Sequence, residues 1–294
     1  MADRLTWLSA VSGIDLAHYG TEADAETIRD TAIAQPLLVA AGLITAPVLL
    51  AEAPPGSVGV VAGHSVGELT AAALTGVLSA ESAMVLVRER GRAMAEASAA
   101  RPTSMTAVIG GQPDEVLAAI ESCGLTAANS NGSGQIVAAG TVEQLDALAA
   151  NPPHRARLIA LSVAGAFHTV HMEPAVARLA QLARGVTAHE PSTRLLSNRD
   201  GAEVASGQDF LGRIVDQVAN PVRWDLVMDT MASLGVTGLL ELPPSGTLTG
   251  IARRNLKGVE LFSLNTPDQI PDARQFVARH ASTAHQPTAD SETS

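Results

Sequence analysis

Only one cysteine, Cys123, stands in the 294 residues. That excludes a disulfide framework and a thiolate metal cluster, and it is the cysteine usage expected of a cytoplasmic protein. Its neighbours Ser122 and Gly124 form no redox motif, so Cys123 reads as structural. Aromatic residues are scarce, at 2% beside a hydrophobic content of 46%. A core of this composition must be packed by Ala, Val and Leu. Positive charge is in deficit as well, with a formal net charge of -11. This argues against nucleic acid or a membrane surface as the main partner, though not against a local basic patch that meets an acidic protein. The start, Met1 to Trp7, lacks the apolar stretch of a signal peptide. The longest apolar run, Pro36 to Ala53, is interrupted by Gly42, Thr45, Pro47 and Glu52. It is short for a bilayer span and reads as a buried helix.

What is present centres on Val58–Glu68. A β-branched apolar run ends in Gly63-His64-Ser65-Val66-Gly67, and a helical pattern (Leu69, Ala72, Ala73, Leu74) follows at once. In that strand–turn–helix context Gly-x-Ser-x-Gly is a nucleophile elbow. Such a turn needs both glycines, because the serine adopts a strained backbone while strand and helix nearly touch. Ser65 then lies at a helix N-terminus, and the Val66 N–H is the first donor to a tetrahedral oxyanion. The competing reading is a Gly-rich connection with an idle serine. A helix over 80–97 places Arg90 in line with Leu86, Val87, Ala93, Met94 and Ala97, whereas Arg88 and Arg92 share a charged face with Glu89 and Glu96. An arginine on an apolar stripe needs an anionic or hydrogen-bonding partner, or else snorkels. Among the histidines, His64 abuts the serine but points elsewhere from a tight turn. His168 follows a strand at a loop, where a catalytic group can stand, although a lone histidine is more often structural.

The alternation of elements predicts an α/β fold with an α/β-hydrolase-like core, built on a parallel sheet and the elbow. Strands at 105–109, 125–129, 135–139 and 157–163, with helices at 114–123 and 142–150, follow the β-α-β-β-α-β order of a ferredoxin-like unit. The expected division is a discontinuous core over 1–100 and 166–279, with the ferredoxin-like subdomain inserted at 101–165. A polar, disordered tail is expected over 280–294.

The motifs Gly63–Glu68, Arg88-Glu-Arg-Gly-Arg92, Asn129–Gly140, Gly165-Ala-Phe-His-Thr169, Asp216–Trp224 and Pro244–Gly250, taken together and in order, resemble malonyl-CoA:acyl-carrier-protein transacylases. The similarity runs from about residue 10 to 265 and is greatest to actinobacterial members. It implies a malonyl transfer from malonyl-CoA to acyl carrier protein, using no cofactor and no metal. Ser65 would be the acylated nucleophile and His168 its base, held by the main-chain carbonyl of Gln217. Arg90 would grip the malonyl carboxylate, which supplies the partner its apolar stripe demands. Phe167, before the base, goes with malonyl rather than methylmalonyl units, and Asn131 and Asn198 resemble pocket-lining positions. Arg253, Arg254 and Lys257 are candidates for docking the acidic carrier.

Two other readings share these residues. An ordinary esterase or thioesterase would also use the elbow, but needs an acid and a late histidine in the order Ser, acid, His. A non-catalytic homologue would bind carrier protein without turnover. The resembling family also opens with a strand and a Gly-Gln-Gly loop that donates a second oxyanion N–H, and no Gly-Gln-Gly precedes Leu16. The loss of one such donor costs about a hundredfold in turnover, and the loss of a core strand leaves its neighbours unpaired. The expectation is therefore a slow or poorly soluble 294-residue chain, which a steady-state assay at full family rate would contradict.

Overall fold

The computed structural model describes residues 2–163 and 165–283. The chain opens with α1 (Ala2–Ser12) and α2 (Leu16–Thr21), the latter capped by Asp15, which accepts the His18 N–H at 3.0 Å. The short helix expected over 24–30 closes only as a 3-10 turn, Thr27–Arg29. Next comes α3 (Thr31–Leu50), which begins a turn before the Gln35-Pro36 pair, because Asp30 caps it through the Ala32 N–H at 2.8 Å. Pro36 and Pro47 therefore lie inside the helix, where each forgoes a backbone hydrogen bond. By length and apolarity α3 could span a bilayer; here it crosses the core, with Val39, Ala40, Leu43 and Leu49 buried. Strand β1 (Val60–Val61) enters the elbow and α4 (Gly67–Leu74) leaves it. Helix α5 (Ala80–Ala99) starts at Ser79, whose hydroxyl accepts the Ser82 N–H, and packs along α3.

The middle of the chain forms β2 (Thr103–Gly110), α6 (Pro113–Ser122), β3 (Thr126–Ser130), β4 (Gln135–Thr141), α7 (Val142–Ala150) and β5 (Ala156–Ala160). Antiparallel pairing of β2 with both β4 and β5, and of β3 with β4, sets the order β5-β2-β4-β3. Val108, Ile120, Ala138 and Leu148 fill the space between this sheet and its helices. Thr141 and Gln144 form a reciprocal capping box that starts α7 directly from the end of β4.

Helix α8 (Glu173–Ala183), not foreseen from the sequence, buries Ala175 and Leu179 against Met94 of α5. Strand β6 (Arg194–Leu195) pairs parallel to β1, with Val61 opposite Leu195. After α9 (Gly207–Gln217), the two-residue β7 (Val222–Arg223) adds in parallel to β3, with Asn129 opposite Val222. The middle sheet is thus not closed on itself, as the sequence pattern suggested, but gains an edge strand from the later chain. Helix α10 (Trp224–Ser233) precedes β8 (Gly238–Glu241), α11 (Thr247–Asn255) and β9 (Glu260–Ser263), and β8 and β9 are again parallel. The parallel strands of the core fall into two short ladders, β1-β6 and β8-β9. One apolar cluster joins them, as Leu196, Trp224, Val227 and Ile251 pack with Val60 and Leu239.

The tail expected to be disordered from His280 is helical in its first residues. Helix α12 (Ile270–Thr283) includes His280, because Ala273 and Phe276 anchor it in the core. His280 itself contacts Thr237 at 2.9 Å and Glu260 at 3.0 Å. Residues 284–294 lie outside the described residues.

The start of α11 shows how this core holds polar groups. Nearly buried Glu241, at the end of β8, accepts the N–H groups of Gly246, Leu248 and Thr249 and the Thr249 hydroxyl at 2.8–2.9 Å. One carboxylate thereby satisfies the free donors of a helix N-terminus. Glu241→Ala is expected to cost about 2–4 kcal/mol of stability, since it strands several donors at once, and urea denaturation followed by circular dichroism measures it.

Candidate active site

The elbow is strained where the serine stands: Ser65 has φ 54, a region that costs a residue with a β-carbon about 1–3 kcal/mol. Only one of the two glycines is sterically required. A β-carbon on Gly63 would lie 2.0 Å from the Gly67 carbonyl carbon, whereas one on Gly67 would meet nothing within 4 Å. Asn198, fully buried in the loop after β6, compensates the strain from both sides. Its Oδ1 accepts the Ser65 N–H at 2.7 Å and its Nδ2 donates to the Gly63 carbonyl at 2.7 Å. Val66 caps α4, so its N–H opens the helix beside the serine.

His168 arrives from the opposite side and is also strained, with φ 62. Its N–H is tied to the Val218 carbonyl at 3.1 Å, and its Nδ1 meets the Gln217 carbonyl at 2.8 Å. A carbonyl only accepts, so Nδ1 carries the proton and the Nε2 lone pair faces the Ser65 hydroxyl at 2.8 Å. Among the described residues no carboxylate stands behind the ring, which separates this pair from a Ser–acid–His triad. Burial, and then the neighbouring charge of Arg90, pull His168 down from 6.5 to about 3.

Arg90 is buried, as its apolar stripe requires. One Nη donates to Gln35 Oε1 at 2.5 Å; the other donates to the Ser65 Oγ at 3.0 Å and to Gln217 Oε1 at 3.1 Å. Burial lowers its pKa to about 10, partly offset by the negative charge of Glu68. The Gln217 side chain then turns its Nε2 to Asn198 Oδ1 at 3.1 Å and to the Glu68 carboxylate. Glu68 also accepts the Asn198 N–H at 2.7 Å.

Ser65, His168, Arg90, Gln217 and Asn198 are thus brought into one hydrogen-bonded cluster, with Val66 at its edge. Phe167 is half-buried beside it, packed among residues of α5, α8 and α9. Asn131 stands one residue further out: its Oδ1 meets His64 Nε2 at 3.1 Å, and the His64 ring leans on Trp224. His64 therefore faces away from the hydroxyl beside it, and burial lowers its pKa. Gln35 and Glu68 were not singled out from the sequence. Their signal was available, for Gln35 is a polar residue inside the apolar α3 and Glu68 shares the buried face of Ala71 and Ala72.

A family profile described as an acyl transferase domain matches residues 4–291. The chain belongs to the acyl transferase domain family. A malonyl CoA-acyl carrier protein transacylase from Mycolicibacterium smegmatis is 47% identical over 279 residues, covering 94% of this chain and 96% of that protein. The crystal structure of the Mycobacterium tuberculosis enzyme of the same kind superposes with a TM-score of 0.87 at 44% identity, over 93% of this chain and 91% of its own. A malonyl-transacylase solved in complex with a type II polyketide acyl-carrier protein gives 0.86 at 28% identity, over 93% and 90%. The α/β-hydrolase-like fold is shared with these acyl transferases.

The depressed His168 has a direct readout. Its ring is expected to stay neutral from pH 8 to pH 5 in nitrogen NMR of the folded protein, with no inflection at 6.5. In the unfolded chain the same ring protonates near 6.5. This residue therefore makes the fold progressively less stable as pH falls from 6.5 towards 3.

Proposed function

We infer that this acyl transferase moves the malonyl group from malonyl-CoA to the phosphopantetheine thiol of acyl carrier protein through a malonyl-serine intermediate. The observation that carries this reading is the Arg90 guanidinium lying 3.0 Å from the Ser65 hydroxyl, deep in the fold. In a malonyl ester one methylene separates the carbonyl carbon from the free carboxylate. A cation within reach of the nucleophile is therefore where the far end of a bound malonyl group lies. An ordinary esterase has no use for that charge.

In the first half-reaction His168 Nε2 takes the Ser65 proton as Oγ attacks the thioester carbon. The Val66 N–H stabilises the oxyanion. Collapse breaks the carbon–sulfur bond, His168 returns its proton to sulfur, and CoA leaves as the thiol. In the second half the carrier thiol gives its proton to His168 and attacks the ester carbon. Ser65 Oγ leaves and takes that proton back. The Gln217 carbonyl keeps the proton on Nδ1 throughout, so Nε2 alone exchanges protons. A ring held neutral by burial is a weak base at rest, and the imidazolium it forms is stabilised by the oxyanion beside it. Asn198 contributes by holding the serine in its strained conformation. Phe167 supports discrimination for malonyl over branched units, and a single cysteine together with these substrates supports a cytoplasmic setting.

Labelled malonyl-CoA is expected to leave label on the wild-type protein and none on Ser65→Ala; stable labelling of the variant would end the proposal. Arg90→Ala is expected to lower the preference for malonyl-CoA over acetyl-CoA about a hundredfold, as for the loss of two charge-assisted hydrogen bonds, measured as the ratio of kcat/KM values.

A further inference from the structure

The buried carboxylate of Glu68 has no task in the mechanism above, although it is wired to its centre. It accepts the Asn198 N–H at 2.7 Å and the Gln217 side-chain N–H, and the same Gln217 amide accepts from Arg90 at 3.1 Å. A single amide therefore separates the carboxylate from the guanidinium. The Arg90 donors meet only neutral oxygens, those of Gln35, Ser65 and Gln217. Buried charges seldom lack an opposite charge, and once Glu68 is ionised it is the one at hand in the free protein. Resting on the malonyl reading, we propose that Glu68 is a positioning residue that exchanges its charge for the substrate's. When ionised it is the counter-anion of Arg90 in the empty site. When the malonyl carboxylate arrives, Glu68 takes a proton and leaves the guanidinium to the substrate.

Two carboxylates around one buried guanidinium would repel each other in a medium that screens poorly. Protonating one of them removes that cost. The surroundings of Glu68 leave few competing titrating groups. Helix α3 supplies none, α5 supplies Arg90, and α9 supplies Arg213, which is itself paired with Asp200 and Asp209. His168 and His64, the nearby rings, are held neutral by burial. Burial raises Glu68 to about 8, with Arg90 and Arg213 pulling the other way. The malonyl anion raises it further, so the extra proton comes from solvent at and above that pH. The Ser65 proton still leaves with CoA, and the additional proton rests on a Glu68 oxygen. Hence malonyl capture weakens as pH rises past 8, while Arg90, at about 10, is still charged.

The test is kcat/KM for acylation by malonyl-CoA between pH 7 and 9, in the wild type and in Glu68→Gln, which keeps the shape without the titration. The wild type is expected to fall towards about tenfold per pH unit above 8, and the variant to stay level. A parallel fall in both, or a level wild type, overturns the proposal. Proton uptake at pH 8.5, followed with an indicator dye on the unaltered protein, keeps the test open if the variant fails to fold. Malonylation should take up roughly three-quarters of a proton more than acetylation, the fraction of Glu68 ionised at that pH, and equal counts overturn the idea. If malonyl-CoA labels Ser65 at no pH, the malonyl reading itself has failed. If labelling is robust and independent of pH, only the role of Glu68 has.

Discussion

A guanidinium buried without a direct ion pair is the constraint on which the rest of this molecule depends. Arg90 sits on the face of α5 that packs against α3, so its head can be reached only by groups carried on other elements. Gln35 comes from α3, Gln217 from the end of α9 and Ser65 from the elbow after β1. Each interaction fixes one element relative to α5. Removing the charge would relieve an electrostatic burden, yet it would also free the orientation of all three. The same requirement for satisfied donors explains why the centre is rich in amides. Asn198 and Gln217 each offer both a donor and an acceptor, so they can bridge a strained backbone, a cation and a carboxylate in one layer.

Ser65 and His168 are both held at positive φ, and both are clamped by hydrogen bonds that involve the main chain. Ser65 is held through Asn198, and His168 through the carbonyls of Gln217 and Val218. The strain is tolerable because the surrounding contacts determine the conformation several times over. It sets the serine hydroxyl and the imidazole face to face at 2.8 Å without a carboxylate to orient the ring. A main-chain carbonyl performs that task with less charge, and burial beside the Arg90 cation keeps the imidazole neutral.

Much of this was legible beforehand, for identifiable reasons. The elbow could be read because its conformation demands glycine at Gly63, a local steric rule. Arg90 could be read because helical periodicity puts it among Leu86, Val87, Ala93 and Met94, where a charge is anomalous. Helices with a strong cap or period, such as α7 and α11, and the β-α-β-β-α-β order followed from short-range chemistry. Of the elements not anticipated, α2 and β7 are only a few residues long, whereas α8 and α12 do carry an apolar face, which packs against α5 and into the core. Pro36 shows the same limit: a cap at Asp30 and packing on α5 outweighed the local preference of proline for a first turn.

The sequence by itself determined the residue types at the candidate site: a serine between glycines, a histidine after a strand, an arginine out of place and a chain too poor in cysteine for a disulfide framework or a thiolate metal cluster. Tertiary structure alone decided which of them touch. The Gln217 carbonyl against His168, the amide of Asn198 against Ser65, and the contact of Gln35 and Gln217 with the buried cation join residues far apart in the chain. Spacing governs only neighbours within a few residues, whereas a hydrogen bond across the fold depends on how whole helices and strands come to rest against one another.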